Sequence, residues 1–254
     1  MAVITIAFLL LFSRAALAIS WGYILDPSST NNNVFTQLVY TIQVPAAPPQ
    51  QVTSDWPNSA PWVKQCGFQP SGGGVVQPVL QWGTFAPSYV NPNPGFTETW
   101  ALALWDLPAS GYNNGNSDES AGIWAAQGDQ IAVSVTFENG QWVQTANVIS
   151  GQAQGQSTSL TVPQNGWYPS DSAGDSNANF FVCESELYGD DTGLWDFPVV
   201  FTDMYVRAAT SDGIEALCEQ HLDYSDGNGY ATIVGFSMFD SETCYYQSVT
   251  LTPP

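Results

Sequence analysis

Apolar and polar residues alternate every second position in short runs along most of the chain. Asp129–Phe137 shows it clearly, and Val34–Val44, Gln141–Ile149, Thr158–Val162, Val199–Arg207, Ala231–Phe239 and Tyr245–Leu251 read as further strands. A period of two puts one side of each segment in a core and the other in water, which is the pattern of a half-buried strand. Gly, Asn and Pro punctuate the runs, and Asn139-Gly140 between two of them is the signal of a tight hairpin. Phe96–Leu107 is ambiguous: its Ala and Leu favour a helix, its neighbours favour a strand, and it is read as a strand. Only Gly213–Leu222 has a helical pattern. Val75–Phe85 reads as a strand whose Pro78 predicts a late start or an edge position. Pro45–Gln51 reads as an extended connector, and Trp56–Gly74 as a loop with packing of its own. Many short strands with one helix predict an all-β, antiparallel β-sandwich.

One strand departs from simple alternation. Asn177–Asp190 reads NANFFVCESELYGD. In a strand, Phe180, Val182, Glu184, Glu186 and Tyr188 share one face, and Phe181, Cys183, Ser185 and Leu187 share the other. Two carboxylates beside aromatic residues are costly in a dry core. That face is therefore either solvated or a working cleft, and it is read as a cleft. Gln81, between apolar neighbours in Val75–Phe85, is expected on an adjacent strand of the same concave face, where it and a Glu can hold a water between them.

The first residues change the picture of location. AVITIAFLLLF followed by Ala16-Leu17-Ala18 has the layout of a secretory signal over residues 1–18, leaving 19–254 as a single domain. Beyond it only Lys64 and Arg207 are cationic, and the formal net charge is −20. Such a surface disfavours nucleic acid and anionic membranes as partners. Its repulsion fades as carboxylates protonate, which suits an acidic exterior. The even set of cysteines, Cys66, Cys183, Cys218 and Cys244, predicts disulfides in an exported chain, with Cys66–Cys183 and Cys218–Cys244 favoured. No Cys/His cluster has metal-ligand spacing, and the single histidine, His221, has no GxSxG motif beside it. The oxygen-rich stretches Ser170–Asn179 and Asp223–Gly229 are read as turns rather than calcium loops.

Several segments, taken in order, resemble the eqolisins, the glutamic peptidases with a concanavalin A-like jelly roll. They are VLQWG at Val79–Gly83, GDQIAVSV at Gly128–Val135, ANVISGQAQGQSTSL at Ala146–Leu160, SELY at Ser185–Tyr188 and VVFTDMYVRA at Val199–Ala208. Together they span about residues 75–208. The resemblance implies that Gln81 and Glu186 are the catalytic pair, with Glu184 as the alternative to Glu186. It implies a monomeric, secreted acid endopeptidase acting on polypeptide without metal or cofactor. A carboxylate takes a proton from water, and an amide N–H steadies the oxyanion.

A different class of function stays open beside it. Tryptophans such as Trp82, Trp100 and Trp105, with Tyr188, are candidate groove residues. They would flank a peptide in a peptidase, or stack sugar rings if the partner is a polysaccharide. Glu184 and Glu186 also have a spacing open to two-carboxylate glycoside hydrolysis. A row of exposed tryptophans along the groove would favour the glycan reading.

Overall fold

The computed structural model describes residues 19–25, 33–48, 62–69, 75–82, 100–107, 117–163, 180–187, 194–220, 222–224 and 229–253. The signal-like residues 1–18, Trp167, Tyr188, His221, the 170–179 stretch and part of the Pro-rich connector lie outside them.

The strands form two stacked antiparallel sheets. The first contains β1 (Ile19–Leu25), β3 (Trp62–Gln69), β4 (Val75–Trp82), β5 (Trp100–Leu107), β6 (Asp118–Glu119), β7 (Ile123–Ala125), β11 (Phe180–Glu186) and β13 (Leu222–Tyr224). Its order is β13-β1-β11-β3-β4-β5-β6, with β7 also on β5. The second contains β2 (Phe35–Gln43), β8 (Gln130–Glu138), β9 (Gln141–Ser150), β10 (Ser157–Pro163), β12 (Val199–Ala208), β14 (Tyr230–Asp240) and β15 (Thr243–Thr252), in the order β10-β9-β8-β2-β12-β15-β14. A short helix, α1 (Ile214–Glu219), buries Ile214, Leu217 and Cys218. The fold is the predicted antiparallel β-sandwich, and the described part of the 96–107 stretch, Trp100–Leu107, is strand β5 as read.

Alternation explains why these segments pair. On β8 Ile131, Val133 and Val135 turn inward, and on β9 Trp142, Ala146 and Val148 meet them. Phe68 of β3 fills the middle of the core, with its ring centroid 5.4 Å from Phe35 and 5.6 Å from Trp142. Each such aromatic contributes about 1.5–3 kcal/mol by leaving water. The β8–β9 turn is the predicted hairpin: Asn139 and Gly140 have φ of 51° and 76°, the left-handed pair that matches strand twist.

Two expectations about this sheet are corrected. Residues 62–69, read as loop, form β3, an inner strand between β11 and β4. Pro and Gly in the flanks masked an alternation in which Lys64, Cys66 and Phe68 face the core while Val63 and Gln65 face away. Pro78 is not at an edge, since β4 runs between β3 and β5. The ladder to β5 continues through Pro78–Leu104, while β3 and β4 pair at Gln65–Val79 and next at Phe68–Val76. The missing N–H of Pro78 falls in that gap, which is how an inner strand tolerates it.

Candidate active site

The face of the first sheet turned away from the core holds the candidate residues. Alternation places Val63 and Gln65 of β3, Gln77, Val79 and Gln81 of β4, Trp105 and Leu107 of β5, and Glu186 of β11 around one cavity of about 140 Å³. Val63, Val79, Ala103 and Trp105 form a small apolar cluster there, with Leu107 against it.

The face assignment on β11 holds as expected. Phe181, Cys183, Ser185 and Leu187 are fully buried toward the core, while Glu184 and Glu186 are only partly covered on the other side. The Cys66–Cys183 disulfide ties β3 to β11 at directly opposed positions, which fixes Gln65 against Glu184 and Val63 against Glu186. The second disulfide joins Cys218 of α1 to Cys244 of β15.

Gln81 and Glu186 are not on adjacent strands. Val63 of β3 pairs with both, Gln81 on one side and Glu186 on the other. Two strand spacings put their backbones roughly 9.5 Å apart, and both side chains line the cavity. Gln81 is wholly buried, and among the described residues neither its Nε2 nor its Oε1 has a hydrogen-bond partner. The amide that touches Glu186 is a different one: Gln65 Nε2 donates to Glu186 Oε2 at 3.0 Å. Gln65 also hydrogen-bonds Glu184. Reading 62–69 as loop concealed Gln65. The favoured Cys66–Cys183 pair contained the signal, because antiparallel neighbours of that pair are residues 65 and 184.

The carboxylates stand in different surroundings. Burial, and then the nearby charge of Glu186, push Glu184 up to about 8, against a smaller lowering by the Gln65 hydrogen bond. Glu184 is therefore a neutral acid over the range in which an ordinary carboxyl is ionised. Behind this face, Lys64 Nζ donates to Ser185 Oγ inside the core, 5.0 Å from the centroid of the Trp195 ring. Burial holds this lysine well below its ordinary range, and the charge of Glu186 works the other way.

The aromatic candidates divide. Trp105 lines the cavity. Trp82 and Trp100 do not line a groove; they turn into the core and meet each other edge-on, with centroids 5.5 Å apart. The same alternation that points Gln81 outward points Trp82 inward.

Two of the sequence segments that carried the resemblance are turn chemistry. The buried Asp129 carboxylate accepts from the backbone N–H of Ala126, Gln152 and Ala153, at 3.0, 2.6 and 3.0 Å. A Cβ at Gly151 would lie 2.0 Å from Asp129 Oδ1, and Gly151 has φ of 98°. Gly128-Asp129 and Gly151-Gln152 thus lock two loops together at the end of the second sheet.

No family model and no curated protein matches the chain. Among solved structures it is similar to that of SCP-B, a member of the eqolisin family of peptidases, in a complex with the tripeptide Ala-Ile-His. The identity is 15%, covering 93% of this chain and 98% of that chain, with a TM-score of 0.45. The likeness assigns no residue of the site.

Proposed function

We propose that the protein is a secreted acid endopeptidase of the glutamic type, in which Glu186 and Gln81 act on a water and a peptide carbonyl between them. The observation that carries this reading is Gln81. A side-chain amide that is completely buried and unpartnered costs about 1–3 kcal/mol. A buried group in this state calls for a reason beyond the fold, and a catalytic role is one. Glu186, across the same cavity, supplies the base.

The steps follow from the chemistry of the two groups. Ionised Glu186 removes a proton from the water as its oxygen attacks the scissile carbonyl carbon. The Gln81 N–H donates to the developing oxyanion. Protonated Glu186 then returns the proton to the leaving amine as the C–N bond breaks. Gln65 holds Glu186 in place through its Oε2. The resemblance of the ordered segments to eqolisins supports the same pair. Secretion rests on the signal-like residues 1–18 and on the disulfides.

One observation favours a second reading. Glu184, held neutral beside Glu186, has the acid-and-base split of a glycosidase pair. Against a glycan groove, Trp82, Trp100, Trp142 and Trp195 all belong to the core. Casein and haemoglobin cleavage across about pH 2 to 7, with Glu186→Gln and Gln81→Ala alongside, tests the reading. Pepstatin-resistant activity at acid pH, lost in both variants, supports it. Full activity in Glu186→Gln overturns the assignment of the base. Hydrolysis of a β-glucan by folded protein that leaves casein intact replaces it with the second reading.

A further inference from the structure

We propose that removing residues 1–18 completes the site: the α-ammonium this creates on Ile19 is a positioning group that pairs with Glu186. The consequence for catalysis rests on the proposed peptidase reading, while the ion pair itself stands on the placement of β1.

Two independent features meet at one residue. In the sequence, Ala16-Leu17-Ala18 puts signal cleavage directly before Ile19. In the fold, Ile19 is the first residue of β1, an inner strand of the first sheet, and its partner across the ladder to β11 is Glu186. Opposed Cα atoms of an antiparallel pair lie about 4.5–5.5 Å apart, and an α-nitrogen is about 1.46 Å from its own Cα. A charge on that nitrogen starts one strand spacing from Glu186, and opposite charges act on a carboxyl group over roughly 4–6 Å. The register shifts between Ile19 and Trp21, so Ser20 is the extra residue of a bulge, a device that re-aims a strand beside a site. On its other side β1 pairs with β13 from Gly22 to Ile24, and that ladder stops short of Ile19.

Few other groups in this chain can supply a counter-charge there. Beyond residue 18 the only Lys and Arg are Lys64 and Arg207. Arg207 is engaged with Asp240 and Glu242 on the second sheet. Lys64 lies in the core against Ser185, where burial disfavours its charged form. On the other face of β11 the charge of Glu186 opposes ionisation of Glu184. An ammonium on Ile19 offsets that repulsion and fixes the end of β1 against Glu186. While residues 1–18 are attached, the same nitrogen is a neutral peptide N–H. Activity is thereby coupled to export, because the counter-charge exists only once the leader is gone. The acid that β13 brings to β1 is Asp223, which pairs with Tyr23 further along the strand.

The test uses the full chain expressed in a secretory host and collected from the medium. N-terminal sequencing begins at Ile19; a different first residue overturns the proposal. Lys64 is the single lysine and is fully buried, so reductive methylation with labelled formaldehyde reports on the α-amine. The labelled methyl signal titrates above the ordinary α-amino value of about 8. Glu186→Gln brings it back toward that value, and Asp223→Asn does not. A signal indifferent to Glu186→Gln rules out the pair. In the second arm, acetylation removes the charge from the same nitrogen, whereas methylation keeps it. Acetylated protein loses about tenfold or more in kcat on casein at acid pH, and methylated protein does not. Equal activity of the two, at any level, sinks the positioning role and leaves the peptidase. A titration that responds to Glu186→Gln in protein that cleaves nothing keeps the ion pair and sinks the peptidase.

Discussion

Gln65 Nε2 donates to Glu186 Oε2 at 3.0 Å and also hydrogen-bonds Glu184, so one amide serves two carboxyl groups on the neighbouring strand. The bond to Glu184 favours its ionised form, against burial and the charge of Glu186. Gln65→Leu is therefore expected to push the Glu184 carboxyl above its value of about 8. Glu186→Gln removes a like charge and is expected to lower it. Carbon-detected titration of the labelled carboxyl groups reads both shifts. A Glu184 value that stays put or falls in Gln65→Leu would mean that Gln65 does not couple to this pair.

Gln81 offers a separation of stability from activity. Its amide is buried and unpartnered, so Gln81→Leu replaces an unsatisfied polar group with an apolar one of similar shape. The expected result is a gain of about 1 kcal/mol in unfolding free energy with loss of peptidase activity. Chemical denaturation beside a casein assay measures it. A destabilised Gln81→Leu protein would show that the amide is satisfied in the folded state and serves the fold.

How much of this was legible in the sequence depends on which signal each residue carried. Period-two alternation identified β8, β9, β12 and β15 because each has one buried and one exposed face. The same rule placed Glu184 and Glu186 on a common face. β3 escaped because it lies inside a sheet buried on both sides and carries Lys64, a charged residue pointing into the core. Gln65 was lost with it. The Trp82 and Trp100 error has a related cause: composition shows that a tryptophan is present, and only its phase relative to Gln81 shows which face it takes. The separation of Gln81 from Glu186 by β3 required the strand order, which local pattern does not contain.

The disulfides are expected to differ in consequence. Cys66–Cys183 closes a separation of 117 residues and sets the register that brings Gln65 to Glu184 and Glu186. Cys218–Cys244 closes 26 residues and ties α1 to the other sheet. Replacing either pair by alanine should cost about 2–5 kcal/mol. Only loss of Cys66–Cys183 should also lower kcat in protein that remains folded. Equal loss of kcat from both would place the effect in overall stability rather than in the site.

Stability should fall as the pH rises from acid to neutral, and the sign follows from Asp106 and Glu184. Burial, then the charge of Asp118 on β6, push Asp106 from 3.8 to about 7. Glu184 rises from 4.5 to about 8. Each group binds a proton more tightly when folded than when unfolded. Between the unfolded and folded values the native state therefore holds more protons, and stability decreases with pH. The contribution is fully present below about pH 4 and is lost through about pH 7–8. For the nearly inaccessible Asp106 it is on the order of a few kcal/mol. Urea midpoints at about pH 4, 6 and 8 should decline in that order, and Asp106→Asn should flatten the decline. Asp118→Asn should shrink the decline and end it at lower pH, because removing the neighbouring charge lowers Asp106 toward its ordinary value and narrows the interval over which the folded state holds the extra proton; the midpoint at about pH 6 then lies closer to that at about pH 4 than in the unaltered protein. A midpoint that climbs from about pH 4 to 8 would show that Asp106 is ionised in the folded core, and that the acid preference read from composition has no source in these groups.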